Sequence, residues 1–277
     1  MTKMKKLSSV LQKVYIGIIF TFLYAPVVLM IVLSFNGSKS AYEWGGFSTV
    51  KYEALFSNAT IMEALVTTVI LAFAAAAIAT ILGTVASVGL LSMKVKARNA
   101  VTAVSNIPLL NADIVTGVSL MLFFAAFVTR MSSTTLLISH VTLVLPYVML
   151  NVLPKLMQFD VSVYHAALDL GASPAKAFFK VVLPDIFPGL LTGFLLALTI
   201  SLDDFTITYF TKGQGLNTLS TLIYTNRIRG ILPEYYALAA IMFIGVLLLI
   251  LVMQIVNVRS VPKGGKEKEL SKKGNNY

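Results

Sequence analysis

Six stretches of this chain are apolar enough and long enough to cross a lipid bilayer, and that leaves few folds open. They run from Val14 to Phe35, Ala64 to Met93, Val101 to Phe127, Leu136 to Leu153, Ile186 to Phe205 and Tyr236 to Val258. A hydrocarbon core about 30 Å thick needs roughly 20 helical residues at about 1.5 Å each. With no water in that core, a spanning segment must satisfy its own backbone, which a helix does. The expected fold class is an all-α integral membrane protein with six transmembrane helices. Composition agrees: 57% hydrophobic and 12% charged residues compare with about 45–50% and about 25% in soluble domains.

The first run exceeds the roughly 7–15 apolar residues of a secretory signal and lacks a small-residue cleavage site, so it reads as an uncleaved span, kinked at Pro26. Basic residues sort by loop. With the N-terminus inside, interior segments carry sixteen Lys and Arg and exterior ones six, which places both termini in the cytoplasm of a bacterial inner-membrane protein. The net charge of +10 is therefore a record of topology, and no nucleic-acid partner is implied. The domains expected are a basic N-terminus over 1–13, a membrane domain over 14–258 with a polar cytoplasmic loop over 155–185, and a basic tail over 259–277. The absence of cysteine excludes disulfides, thiolate metal sites and thiol nucleophiles. His140 and His165 fall near opposite membrane faces and read as polar helix residues, so no metal site is expected.

That polar loop, YHAALDLGASPAKAFFKVVLPD from Tyr164 to Asp185, is too mixed to face lipid. Asp160 can cap a first short helix, Gly171 supplies its left-handed stop, and Ser173-Pro174 starts a second. Leu183-Pro184 is expected to close the unit, since Pro184 has no amide hydrogen and biases Leu183 away from helix. Ala166 and Ala167 leave a low-profile face that another protein's backbone can approach.

The segment resembles the EAA loop of ABC importer permeases: the Ala166-Ala167 pair, Gly171 and the Val181, Leu183, Pro184 group fall at that family's spacing, with His165 where the family usually has Glu. The resemblance implies the type I ABC importer permease fold, with a coupling helix between helices 4 and 5. It also implies that His165, Ala166, Ala167, Gly171, Ala172, Leu183 and Pro184 meet a cytoplasmic ATPase dimer. A second permease subunit and an extracytoplasmic binding protein are implied too. The chain has no GxxxxGK[ST] loop. No catalytic residue and no cofactor is expected on it; ATP and Mg belong to the ATPase.

Carboxylates inside apolar runs cost on the order of 2.5–3.5 kcal/mol at a span's centre and mark bundle interiors or solute paths. Asp113 lies twelve residues into the third run, and Asp203 and Asp204 close the fifth. Adjacent carboxylates repel, and a cation would relieve them. The stretch from Ser201 through Asp203-Asp204-Phe205 to Thr211, with Gly213, Tyr224, Gly230 and Pro233-Glu234, is similar to the spermidine/putrescine branch of these permeases. By that resemblance the cargo is a polyamine, bound along Asp203, Asp204, Asp113 and Glu234 with Tyr209 and Tyr224 as aromatic walls. An ABC permease for iron, thiamine or phosphonate is the alternative, and a channel or scaffold that merely docks a cytoplasmic protein is a more remote one.

Overall fold

The computed structural model describes residues 2–40, 42–127, 130–227 and 232–260, with side chains from residue 12 to 252 within those ranges and at 254 and 255. Among the described residues the fold is all-helical, with one isolated antiparallel bridge between Asn36 and Phe47. Gly230 and the tail beyond residue 260 lie outside the described residues.

In chain order the helices are α1 (Thr2–Ser34), α2 (Val50–Ser57), α3 (Ala59–Leu91), α4 (Val95–Ser105), α5 (Ile107–Leu110), α6 (Asp113–Phe127), α7 (Ser133–Gln158), α8 (Val161–Asp169), α9 (Pro174–Ala177), α10 (Leu183–Asp203), α11 (Thr206–Thr211), α12 (Leu219–Asn226) and α13 (Glu234–Ser260). Five stretches are long and apolar enough to cross a membrane: Gln12–Ser34, Ala59–Leu91, Ser133–Gln158, Pro174–Asp203 and Glu234–Val252. The third apolar run is not a single helix. It breaks at Asn106 and again at Asn111-Ala112, leaving α6, whose 15 residues rise roughly 22 Å. Asp113 consequently stands exposed in the first turn of α6 and not twelve residues deep in a continuous helix.

The chain divides into two compact units. The first comprises Met1–Met62 and Ile223–Gly245. Within it the loop after α1 winds around the buried Asn36, whose Oδ1 accepts from the amides of Ser38 and Gly45 and whose Nδ2 donates to the carbonyls of Ser40 and Glu43. One satisfied amide thus orders a segment with no apolar periodicity. Lys51 of α2 donates to the Leu33 carbonyl at 2.7 Å and lies 5.0 Å from the Tyr236 ring; burial lowers its pKa. A cation at the C-terminal end of α1 also suits the helix dipole there.

The second unit comprises Glu63–Leu222 and Val246–Tyr277. Its core is a seam of α7 against α10, closed by α3 and α11: Ala72, Ala76 and Ala79 meet Val144, Val148, Val152, Ile186, Ala197, Leu198 and Ile207. The alanines of α3 admit this approach because small residues let helix backbones come close. Gly189 and Gly193 on α10, spaced by four, do the same from the other side. A Cβ at Gly189 would lie 2.9 Å from the Asn151 carbonyl oxygen, and one at Gly193 would lie 3.3 Å from Val148 Cα.

Candidate functional site

The polar segment after α7 forms a helical hairpin of α8 and α9. Asp160 caps α8, accepting from the Ser162 hydroxyl at 2.6 Å and the Ser162 amide at 2.9 Å; the hydroxyl first, then the amide, holds its carboxyl below the usual carboxylate range. Gly171, at φ +83, ends the helix. Its amide donates to Leu168 and that of Ala172 to Ala167, the paired bonds of a Schellman stop. Ser173 accepts from the Lys176 amide and Pro174 occupies the first turn of α9. His165, Ala166 and Gly171 are exposed, and Ala167 and Ala172 half-buried.

Leu183-Pro184 does not close this unit. Phe178–Val182 forms a π-helical turn, Leu183 is helical (φ −59, ψ −43), and its amide donates to Phe178, five residues back. The wider turn shifts the hydrogen-bond register just where Pro184 has no hydrogen to give, so the chain passes directly into α10. The second arm of the hairpin, α9, and α10 are thus one continuous piece of helical backbone from Pro174 to Asp203.

At the far end of α10 the two adjacent carboxylates part company. Asp203 is exposed. Asp204 turns inward with only 6% of its side chain exposed; Oδ1 accepts from the Ile207 amide at 3.2 Å, and Oδ2 accepts from the Thr208 amide and hydroxyl, both at 2.8 Å. Asp204 is therefore the cap that starts α11, while Asp203 beside it stays exposed.

Tyr209, half exposed, lies with its ring 5.5 Å from that of Phe205. Gly117 of α6 touches the first turn of α11, where a Cβ would lie 3.4 Å from the Thr206 carbonyl oxygen. Asp113 stands one turn before that contact. So Asp113, Asp203, Asp204 and Tyr209 belong to the second unit, whereas Tyr224 and Glu234 belong to the first. Tyr224 carries the Arg227 guanidinium over its ring at 4.2 Å. Glu234 lines a cavity of about 260 Å³ with Ser38, Lys51 and Pro233, and its Oε2 is buried without a hydrogen-bond partner among the described residues.

His140 joins this site from α7. It is 1% exposed; Nδ1 lies 2.7 Å from Ser201 Oγ, Nε2 lies 2.9 Å from Thr208 Oγ1 and 3.6 Å from Asp204 Oδ2. The sequence signal was a lone histidine in an apolar run. Its partners, 61 and 68 residues away, could not be named from spacing.

The family model described as binding-protein-dependent transport system inner membrane component matches residues 4–263. The chain belongs to this family. It is therefore a multi-pass component of a membrane transport system, and its relatives are permease subunits, not enzymes. It is 35% identical over 246 residues to the spermidine/putrescine transport system permease protein PotC of Haemophilus influenzae, covering 89% of this chain and 96% of that one. It is 38% identical to the putrescine transport system permease protein PotI of Escherichia coli, covering 80% and 82%. Among solved structures, a bacterial ABC transporter involved in the import of the acidic polysaccharide alginate superposes with a TM-score of 0.65 over 95% of this chain and 99% of that one. At 15% identity this likeness speaks to the fold alone: an ABC importer permease architecture.

Proposed function

We propose that this chain is half of the membrane path of an ATP-driven polyamine importer. The observation that carries the reading is the similarity, across almost the whole membrane region, to permeases named for spermidine and putrescine. The site is compatible in chemistry: an exposed carboxylate, Asp203, ends α10, and the Phe205 and Tyr209 rings that follow it in the chain lie 5.5 Å apart. Polyamines present separated ammonium groups on methylene stems, which suits carboxylates spaced by apolar and aromatic wall.

In this reading the membrane is crossed six times, by α1, α3, the broken α4–α6 run, α7, α10 and α13, with both termini cytoplasmic. The α8–α9 hairpin is the coupling element between the fourth and fifth crossings. His165, Ala166, Ala167, Gly171 and Ala172 meet the ATPase dimer there, and Leu183 and Pro184 carry its motion into α10. A second permease subunit completes the path, and an extracytoplasmic binding protein delivers the cargo toward Asp203, in the same unit as Asp113 and Tyr209.

Uptake tests the cargo class directly. Cells without polyamine uptake of their own, given this chain with the subunits that co-purify with it, should accumulate labelled spermidine or putrescine in an ATP-dependent manner. Iron, thiamine or phosphonate competing where spermidine does not would replace the cargo; a preparation with no stoichiometric ATPase would replace the importer by a channel or scaffold.

The hairpin makes a separate prediction. Gly171→Ala puts a side chain at φ +83, a conformation that costs a non-glycine residue about 1 kcal/mol or more. The Schellman stop should loosen, and cargo moved per ATP hydrolysed should fall several-fold while hydrolysis continues. An unchanged transport-to-hydrolysis ratio would remove Gly171 from the coupling element.

A further inference from the structure

A buried histidine ring ties together three elements at the cargo corner, and neither the transport chemistry nor the family pattern assigns it a part. Hydrogen counting fixes how the network is wired. The single hydroxyl hydrogen of Thr208 goes to Asp204 Oδ2, a carboxylate with only acceptor sites. Thr208 Oγ1 must then accept from His140, so Nε2 carries hydrogen. In the neutral ring Nδ1 accepts from the Ser201 hydroxyl. Ser201 precedes the corner Leu202–Phe205 and Thr208 follows it, so one ring holds both arms of the bend on which Asp203 stands.

The far end of α11 is held separately. The Thr135 hydroxyl of α7, whose hydrogen is shared with the Ser132 carbonyl at 2.8 Å, lies 3.2 Å from the Thr211 carbonyl, and Gly213 sits so close to the segment leading into α7 that a Cβ there would lie 2.6 Å from the Met131 carbonyl oxygen. Ile207 is buried in the core between these ties. Removing the histidine link would therefore leave α11 anchored and the Asp204 cap in place and release only the tie of the corner to α7, which is the behaviour of a device that sets an angle.

We propose that His140 is a positioning residue of the transport path: through Thr208 and Ser201 it fixes the α10–α11 corner so that Asp203 and Tyr209 are presented to the cargo together. This rests on the reading of Asp203 as a cargo contact. A corner free to turn must be ordered by the cargo itself, and that cost falls on apparent affinity.

The test is the concentration dependence of labelled spermidine uptake by the assembled transporter, with the ATPase co-purified and quantified for each variant. His140→Asn keeps a group near the Nδ1 position for Ser201 and gives up the Thr208 link. Thr208→Val removes the same link from the other side at nearly constant shape, together with the hydroxyl's bond to Asp204 Oδ2. Each should raise the uptake KM about tenfold, the equivalent of roughly one well-made buried hydrogen bond, with the maximum rate per assembled transporter held within roughly twofold. His140→Gln, whose longer amide reaches the Nε2 position, should restore most of the affinity. The proposal is overturned if KM stays at the parent value in both His140→Asn and Thr208→Val, if only the maximum rate falls, or if all three variants fail to assemble. Failure to assemble would make the ring a structural tie. Asp203→Asn measured alongside separates the two readings: unchanged uptake there sinks the cargo contact and with it the presentation of Asp203, whereas lost uptake there with a parent KM in His140→Asn sinks the corner device alone.

Discussion

Asp203→Asn is expected to lower uptake efficiency at sub-saturating polyamine about tenfold to hundredfold while leaving the thermal stability of the protein within roughly 0.5 kcal/mol of the parent. The exchange keeps shape and removes only charge. Asp203 is exposed at the end of α10, so folding asks little of its carboxylate; a contact with an ammonium group would ask about 1.5–3 kcal/mol. Asp204→Asn should behave oppositely. Both oxygens of that buried side chain already accept, Oδ1 from the Ile207 amide and Oδ2 from the Thr208 amide and hydroxyl. An amide nitrogen at either position sets a donor against a donor, which costs about 1–3 kcal/mol of stability. Thermal unfolding in detergent, read beside uptake, distinguishes the two. Equal losses of stability, or parent-level uptake in Asp203→Asn, would end the assignment of cargo to Asp203 and of capping to Asp204.

That the two neighbours differ was not legible in the sequence, because alternation of exposure at a helix end depends on where the last turn stops. The stop is set by Asp204 taking an extended backbone, φ −65 and ψ 126, to cap the next short helix, and a six-residue helix such as α11 leaves little periodic trace. Long apolar runs were readable because burial in lipid demands a uniform composition over twenty residues. So were Asp160, Gly171 and Ser173, since caps and left-handed stops rest on the chemistry of one residue and its near neighbours.

The errors share a cause. Asn106 and Asn111 do interrupt the third run, and what differs from the ideal-helix reading is the depth of Asp113, since a segment whose average stays apolar gives no measure of where each helix restarts. Leu183-Pro184 was read as a stop because a π turn, which absorbs a proline, has no sequence signature of its own. His140 is the extreme case: a single polar residue whose meaning lies in two hydroxyls on other helices.

A large structural penalty is expected at Gly189, where α10 crosses α7. A Cβ there would meet Lys155 Cγ at 2.6 Å and the Asn151 carbonyl oxygen at 2.9 Å. The lysine stem can swing away; the backbone oxygen moves only if α7 does. Gly189→Ala should therefore destabilise despite the helix propensity it gains, about 1 kcal/mol, since overpacking costs about 1–3 kcal/mol, and Gly189→Val should reach the upper end of that range. Gly89→Ala on α3, where no heavy atom lies within 4 Å of the added carbon, is the control and should be neutral or stabilising. Adding Lys155→Ala to Gly189→Ala should recover only part of the loss, because the contact with Asn151 remains.

The seam also lies between the α8–α9 hairpin and the α10–α11 corner: Gly189 is fourteen residues from Asp203, roughly 21 Å along an ideal helix. Spreading α7 from α10 at one end should weaken the link between ATP hydrolysis and movement at the other, so Gly189→Ala should hydrolyse ATP with less cargo delivered per turnover. A Gly189→Ala protein as stable as the parent, or complete recovery on removing the Lys155 stem, would mean that the helices are not held at backbone distance and that the seam has room to spare.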